Sequence, residues 1–146
     1  ANVTADYPAA EPATYALRYA SGLFWTWLPS RGSPGRVLLT MNVDAATDAL
    51  ELRQVPGEAT YILLQTSMRC LEHADERDVL TLTARVTDAQ RNPVSDGTIV
   101  TFTWDDGSGS ASVVNGQATL ELPARAATYQ AMTGNTRSSR VRLGTC

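Results

Sequence analysis

No lysine occurs in this chain: all 12 basic residues are arginine. A coding bias explains that without any functional reason. A hot habitat is the weaker explanation, because its compositional signal includes lysine. Histidine is nearly absent as well, His73 standing alone in a charged connector. A Ser-His-Asp site would have to rest on that residue, with no serine motif to match it. Gly-x-Ser-x-Gly elbows, phosphate-binding loops and His-Glu-x-x-His helices are all missing. The adjacent carboxylates Asp105 and Asp106 point apart at a strand end, which fits a turn or a surface calcium contact better than paired acid–base catalysis. The expectation is a protein that is not an enzyme and needs no cofactor or metal.

Long apolar runs are lacking too. The best, residues 23–28, falls far short of the roughly 20 residues a membrane helix needs, so no transmembrane segment is expected. The net charge of −3 is scattered, which argues against a nucleic-acid surface. Cysteine is limited to Cys70 and Cys146, whose spacing fits no metal pattern. They form either one disulfide or two buried thiols, and an even count outside the cytosol favours the disulfide. A chain that opens Ala1-Asn2-Val3-Thr4, without an initiating Met, reads as signal-cleaved or as a piece of a longer protein. The expected location is therefore extracellular or at the cell surface. Asn2 heads the sole N-glycosylation tripeptide and is a candidate acceptor.

What the sequence does contain is alternation. Residues 1–13 are Ala-rich and broken by Pro8 and Pro12, which predicts an extended arm. Residues 14–20 alternate Tyr15, Leu17 and Tyr19 with smaller or polar side chains, the period of a strand. The most aromatic stretch follows, with Leu23, Phe24, Trp25 and Trp27, and then Pro29, Gly32, Pro34 and Gly35 break the chain. Residues 36–42, 49–55 and 59–66 are further strand candidates. Residues 44–52 are the best helical candidate in a chain otherwise without helical periodicity. These segments define a β-rich module over residues 14–69.

After the charged connector 70–78 the pattern sharpens. Leu80, Leu82, Ala84 and Val86 alternate with Thr81, Thr83, Arg85 and Thr87, and Val100, Phe102 and Trp104 alternate with Thr101 and Thr103. Residues 105–110 read as a Gly/Ser loop. Asn115-Gly116 is a hairpin signal ahead of Ala118, Leu120 and Leu122. Residues 128–132 and 139–143 supply the last strands. Turns at this spacing are the pattern of a sandwich or a barrel, and a β-sandwich over residues 70–146 is the favoured reading.

The run Leu82-Thr83-Ala84-Arg85-Val86-Thr87-Asp88-Ala89-Gln90-Arg91-Asn92-Pro93-Val94 resembles the bacterial immunoglobulin-like repeats of invasin- and intimin-type surface proteins. So do Val100-Thr101-Phe102, the hairpin Asn115-Gly116-Gln117-Ala118-Thr119-Leu120, and Ala127-Thr128-Tyr129-Gln130-Ala131. Arg91 and Ala127 stand where such repeats carry glycine, so each needs a negative φ or carries strain. The resemblance implies an all-β fold: an immunoglobulin-like sandwich preceded by the β-rich module and the arm. It also implies a buried Tyr129 with a bonded hydroxyl, and a Cys70–Cys146 bridge tying the first strand of the domain to its last. Such positions are framework.

Two functions follow. One is a subunit of a bacterial surface filament or adhesin-type assembly, whose partners are copies of itself or neighbouring subunits. Its arm would either add a strand to a neighbour, with Tyr15, Leu17 and Tyr19 as anchors, or complete the sheet of its own chain. The other is a monomeric carbohydrate- or protein-binding module with Leu23, Phe24, Trp25 and Trp27 as an exposed patch. Trp25 and Trp27 share one strand face, which fits burial in the first module's core better than exposure.

Overall fold

The computed structural model describes residues 1–31, 33–73 and 75–146. It contains strands and no helix among the described residues. The chain divides into two compact units, Ala1–Val55 and Pro56–Cys146.

The N-terminal unit is built on one antiparallel sheet. β1 (Asn2–Asp6) lies between β2 (Ala13–Ala16) and β5 (Gly35–Val43), and β6 (Ala46–Gln54) forms the far edge. A separate hairpin, β3 (Arg18–Ala20) with β4 (Leu23–Trp25), completes the unit. The expected arm is thus a central strand of its own chain's sheet. Val3 pairs with Tyr15 on one side and Met41 on the other, and Ala5 with Leu39. Those pairings place Val3, Ala5, Val37 and Leu39 on one face, where they are buried together with Tyr7.

The continuous strand expected over residues 14–20 breaks at Leu17. Its N–H bonds the Ala1 carbonyl, and its side chain turns onto the sheet core, so the chain leaves the sheet before Arg18. Residues 44–52 are not helical. Asp44 turns the chain with φ +52, a left-handed conformation that Asp tolerates. β6 then returns along β5 with Leu50 opposite Leu39 and Leu52 opposite Val37. The loop before β5 is held by Gln54, whose amide nitrogen donates to the Arg31 and Ser33 carbonyls at 2.7 and 2.9 Å. Gly32, expected to break the chain there, lies outside the described residues.

The C-terminal unit is a two-sheet sandwich. One sheet has the order β11 (Gln117–Pro123), β8 (Val79–Thr87), β7 (Tyr61–Thr66). The other runs β10 (Gly107–Ser112), β9 (Ile99–Trp104), β12 (Ala127–Thr133), with β13 (Thr136–Arg137) and β14 (Val141–Leu143) both on β12. The expected inward sets meet between the sheets: Leu80, Leu82, Ala84, Val86 and Ala118 from one, Val100, Phe102, Tyr129 and Ala131 from the other, all fully buried.

Three expectations change here. The units part at residue 55/56, not 69/70, because β7 pairs along β8 from Tyr61↔Thr87 to Thr66↔Leu82. Residues 107–112 form a strand, not a loop. β10 is an edge whose glycines make room for neighbours: a Cβ on Gly107 would lie 2.8 Å from the Trp104 ring, and one on Gly109 2.8 Å from Leu120. Finally, Cys70 stands between the unit's first two strands, not ahead of its first. After β7 the chain crosses over, so that Leu71 pairs in parallel with Thr145 beside the Cys70–Cys146 disulfide, whose Cα atoms are 5.0 Å apart.

Candidate functional site

The β3–β4 hairpin turns on Ser21-Gly22, both in the left-handed region (φ +51 and +81), as a tight two-residue hairpin turn requires. Its register is Arg18↔Trp25, Tyr19↔Phe24 and Ala20↔Leu23. Because side chains alternate across a strand, Arg18, Ala20, Leu23 and Trp25 share one face, and Tyr19 and Phe24 the other. The Tyr19 and Phe24 rings pack 5.1 Å apart, tilted by 54°. Trp27, just past β4, meets Trp25 at 6.5 Å and 81°, edge to face. The Arg18 guanidinium lies 5.3 Å over the Trp25 ring, a cation–π arrangement.

β3 and β4 pair only with each other among the described residues. All six of their residues are exposed, and Trp27 is 83% exposed, Leu23 69% and Tyr19 66%. The expectation that Trp25 and Trp27 are core residues is therefore corrected. The aromatic stretch forms β4, but its partner is the short strand Arg18-Tyr19-Ala20, and among the described residues no other strand pairs with either, so Phe24 and Trp25 keep 45% and 39% of their surface exposed.

The other candidate residues separate from this cluster. Tyr15 and Leu17 pack on the buried core of their own unit, so they are not displayed as anchors. Asn2 is exposed on β1, where its side-chain oxygen accepts from the Asn42 amide at 3.2 Å. Arg18 went unnoticed in the sequence. The Ser21-Gly22 pair was the available signal, since a turn centred there sets Arg18 opposite Trp25. The open β6 edge was also missed.

Elsewhere, polar groups are spent on structure. A hollow of about 210 Å³ is lined by Tyr7, Leu28, Pro29, Val37 and Leu52. The Tyr7 hydroxyl beside it already donates to the Pro29 carbonyl at 2.7 Å. Burial, with Tyr15 beside it, pushes the Tyr7 hydroxyl above its ordinary pKa. Tyr129 donates to the Arg125 carbonyl at 2.8 Å, and burial raises its pKa too. Asp105 accepts from the Thr128 N–H and Asp106 from Arg125, which occupies the pair considered for calcium. His73 bonds Asp78 at 3.0 Å. No group of three or more His, Cys, Asp or Glu among the described residues is arranged to hold a metal. No described helix is long and apolar enough to cross a membrane.

Asp88 is the one buried carboxylate among the described residues. Burial pushes its pKa up, but N–H donors from Gly57, Asn92 and Gln90 (2.9–3.0 Å) and the Asn92 amide outweigh it, leaving the value below the usual range. The same turn holds Arg91 at φ +67, the strained alternative for a residue in a glycine position, with its guanidinium 3.7 Å over the Tyr61 ring. Ala127 needs no positive φ.

The sequence matches no protein-family model, and the comparison with curated proteins finds no match.

Proposed function

We propose that this chain is a non-catalytic extracellular surface protein that binds a partner through the aromatic β3–β4 hairpin, with the C-terminal unit serving as a disulfide-stapled, immunoglobulin-like scaffold. The observation that carries the reading is the exposure of Tyr19, Leu23, Phe24, Trp25 and Trp27 together on one hairpin. Large apolar side chains left in water oppose solubility, so a contiguous set of them marks an interaction site. Aromatic residues with a neighbouring arginine are also the types enriched where binding energy concentrates. The scaffold assignment is supported by the sheet membership of the strands, by the corner bond of Tyr129, and by the switch of the first strand from β8 to the chain end at Leu71.

The test is a variant carrying Tyr19→Ser, Phe24→Ser, Trp25→Ser and Trp27→Ser. Binding rings can go with little loss of fold, since surface substitutions usually stay within about 0.5 kcal/mol each. Core rings could not, since truncating a buried aromatic costs about 3–5 kcal/mol. Unchanged unfolding of the N-terminal unit supports the reading, and its collapse overturns it.

A second reading, a subunit of a surface filament or adhesin-type assembly, is favoured by β6. Eight of its nine residues are exposed, and it forms an open edge with Leu50 and Leu52 half uncovered. Strand addition would then use this edge. Donation of the arm requires β1 to vacate its place between β2 and β5 first. Negative-stain microscopy separates the readings: filaments support assembly, and monodisperse particles refute it.

A further inference from the structure

We propose that the β3–β4 hairpin docks on a lipid membrane, seating its rings in the interfacial zone of a bilayer containing anionic phospholipid. The proposal rests on the hairpin being the binding element and names its partner.

Three observations select a bilayer over a sugar or a protein groove. First, the hairpin carries large apolar side chains on both faces: Leu23 and Trp25, with Arg18 at the base, on one, and Tyr19 and Phe24 on the other. A groove or a sugar covers one face and leaves the other in water, whereas a bilayer surrounds both. Second, the rings form no flat platform. Tyr19 and Phe24 are tilted by 54° and Trp25 and Trp27 by 81°, so the hairpin presents ring edges as well as faces. Third, the charge is segregated. None of the 15 acidic residues falls between Glu11 and Asp44, while Arg18, Arg31 and Arg36 do, in a chain of net charge −3. Arg36 is paired with Glu51, but Arg18 and Arg31 lie against the rings of Trp25 and Tyr7.

The order of side chains along the hairpin fits the depth profile of a membrane surface. The tip is Ala20, Ser21, Gly22 and Leu23, the next rung is Tyr19 with Phe24, and the base is Arg18 with Trp25. Arginine and tryptophan thus stand at headgroup level, where such side chains concentrate. Three residues per strand reach about 10 Å, which matches the roughly 5–10 Å depth of interfacial elements. Spanning strands need about 9–11 residues, so this hairpin lies in the surface and does not cross.

The experiment uses the full chain with sedimentable vesicles of phosphatidylcholine alone and of phosphatidylcholine mixed with phosphatidylglycerol. Wild-type protein should pellet with the mixed vesicles, and its tryptophan emission should shift to the blue. Phe24→Ser with Trp25→Ser should weaken partition at least about tenfold. Arg18→Glu should lower binding to mixed vesicles toward the phosphatidylcholine level. Protein that stays in the supernatant with both vesicles overturns the proposal, and so does undiminished pelleting of the Phe24/Trp25 variant. Thermal unfolding of each variant distinguishes the failures. A well-folded variant beside a wild type that ignores vesicles refutes the lipid partner alone, whereas an unfolded variant refutes the hairpin as a binding element. Retention of wild type by an immobilised glycan or protein, with no vesicle binding, also counts against the membrane.

Discussion

The two units handle similar alternating sequence in opposite ways. In the C-terminal unit, strand faces such as Leu80-Leu82-Ala84-Val86 meet a second sheet carrying Val100, Phe102 and Tyr129, and these side chains are lost to solvent altogether. In the N-terminal unit the single sheet buries Val3, Ala5, Tyr7, Val37 and Leu39, while Leu50 and Leu52 on the same face stay half exposed and the aromatic hairpin has no cover. One pairing condenses the contrast: Leu39 and Leu50 face each other across β5 and β6, yet one is 5% exposed and the other 49%. A closed sandwich uses its apolar residues for stability. A half-covered unit keeps some of them available for contact, and the binding reading places function on its separate β3–β4 hairpin.

Four measurements break or sharpen this contrast. The largest effect is expected from Cys146→Ser. Opening a closure of 76 residues should cost the C-terminal unit about 4 kcal/mol in the chain-entropy account and leave the N-terminal transition in place. Denaturation followed by a probe in each unit checks it, and intact mass with and without reductant reports the bond itself. Next is Leu39→Ala, expected to cost about 2–5 kcal/mol as a buried truncation, against well under that for Leu50→Ala. Equal costs would erase the distinction between the two ends of that rung.

Asp88→Ala should cost about 1–3 kcal/mol by removing the buried acceptor shared by the Gly57, Gln90 and Asn92 N–H groups. Since the folded carboxyl is more acidic than the unfolded one, its contribution is complete above the unfolded value and disappears as pH falls through the folded value. Acid unfolding of the C-terminal unit should therefore lose part of its pH dependence in Asp88→Asn. The smallest effect belongs to His73. The hydrogen bond that the ring donates to the Asp78 carboxylate, and then that carboxylate's charge, raise the exposed imidazole above its ordinary value. The associated stability is present below the unfolded value and lost as pH rises through the folded one. Titration of the ring by NMR, with and without Asp78→Asn, reads that shift.

The sandwich was legible wherever threonine alternated with aliphatic residues, as in β8 and β9, because a half-buried strand demands that pattern. β10 was not, since Gly107, Ser108, Gly109 and Ser110 carry no hydrophobic period and the strand exists through backbone pairing to β9. β7 is legible as a strand, but its unit is not, because periodicity carries no information about which strand is the partner and only the pairing with β8 decides it. The hairpin residues were identified and their exposure was misjudged for the same reason. Alternation reports two faces, and only the tertiary layers decide whether either is covered.

The disulfide has a mechanical consequence. Tension entering at Cys146 passes through the sulfur bridge to Cys70 and on through β7 toward Pro56. Residues 71–145, including β8 to β14, hang outside that line of force. Under load the unit could yield by peeling β7 from β8 while the rest of the sandwich stays folded, so the covalent closure sets an upper limit on how far the domain can extend when pulled.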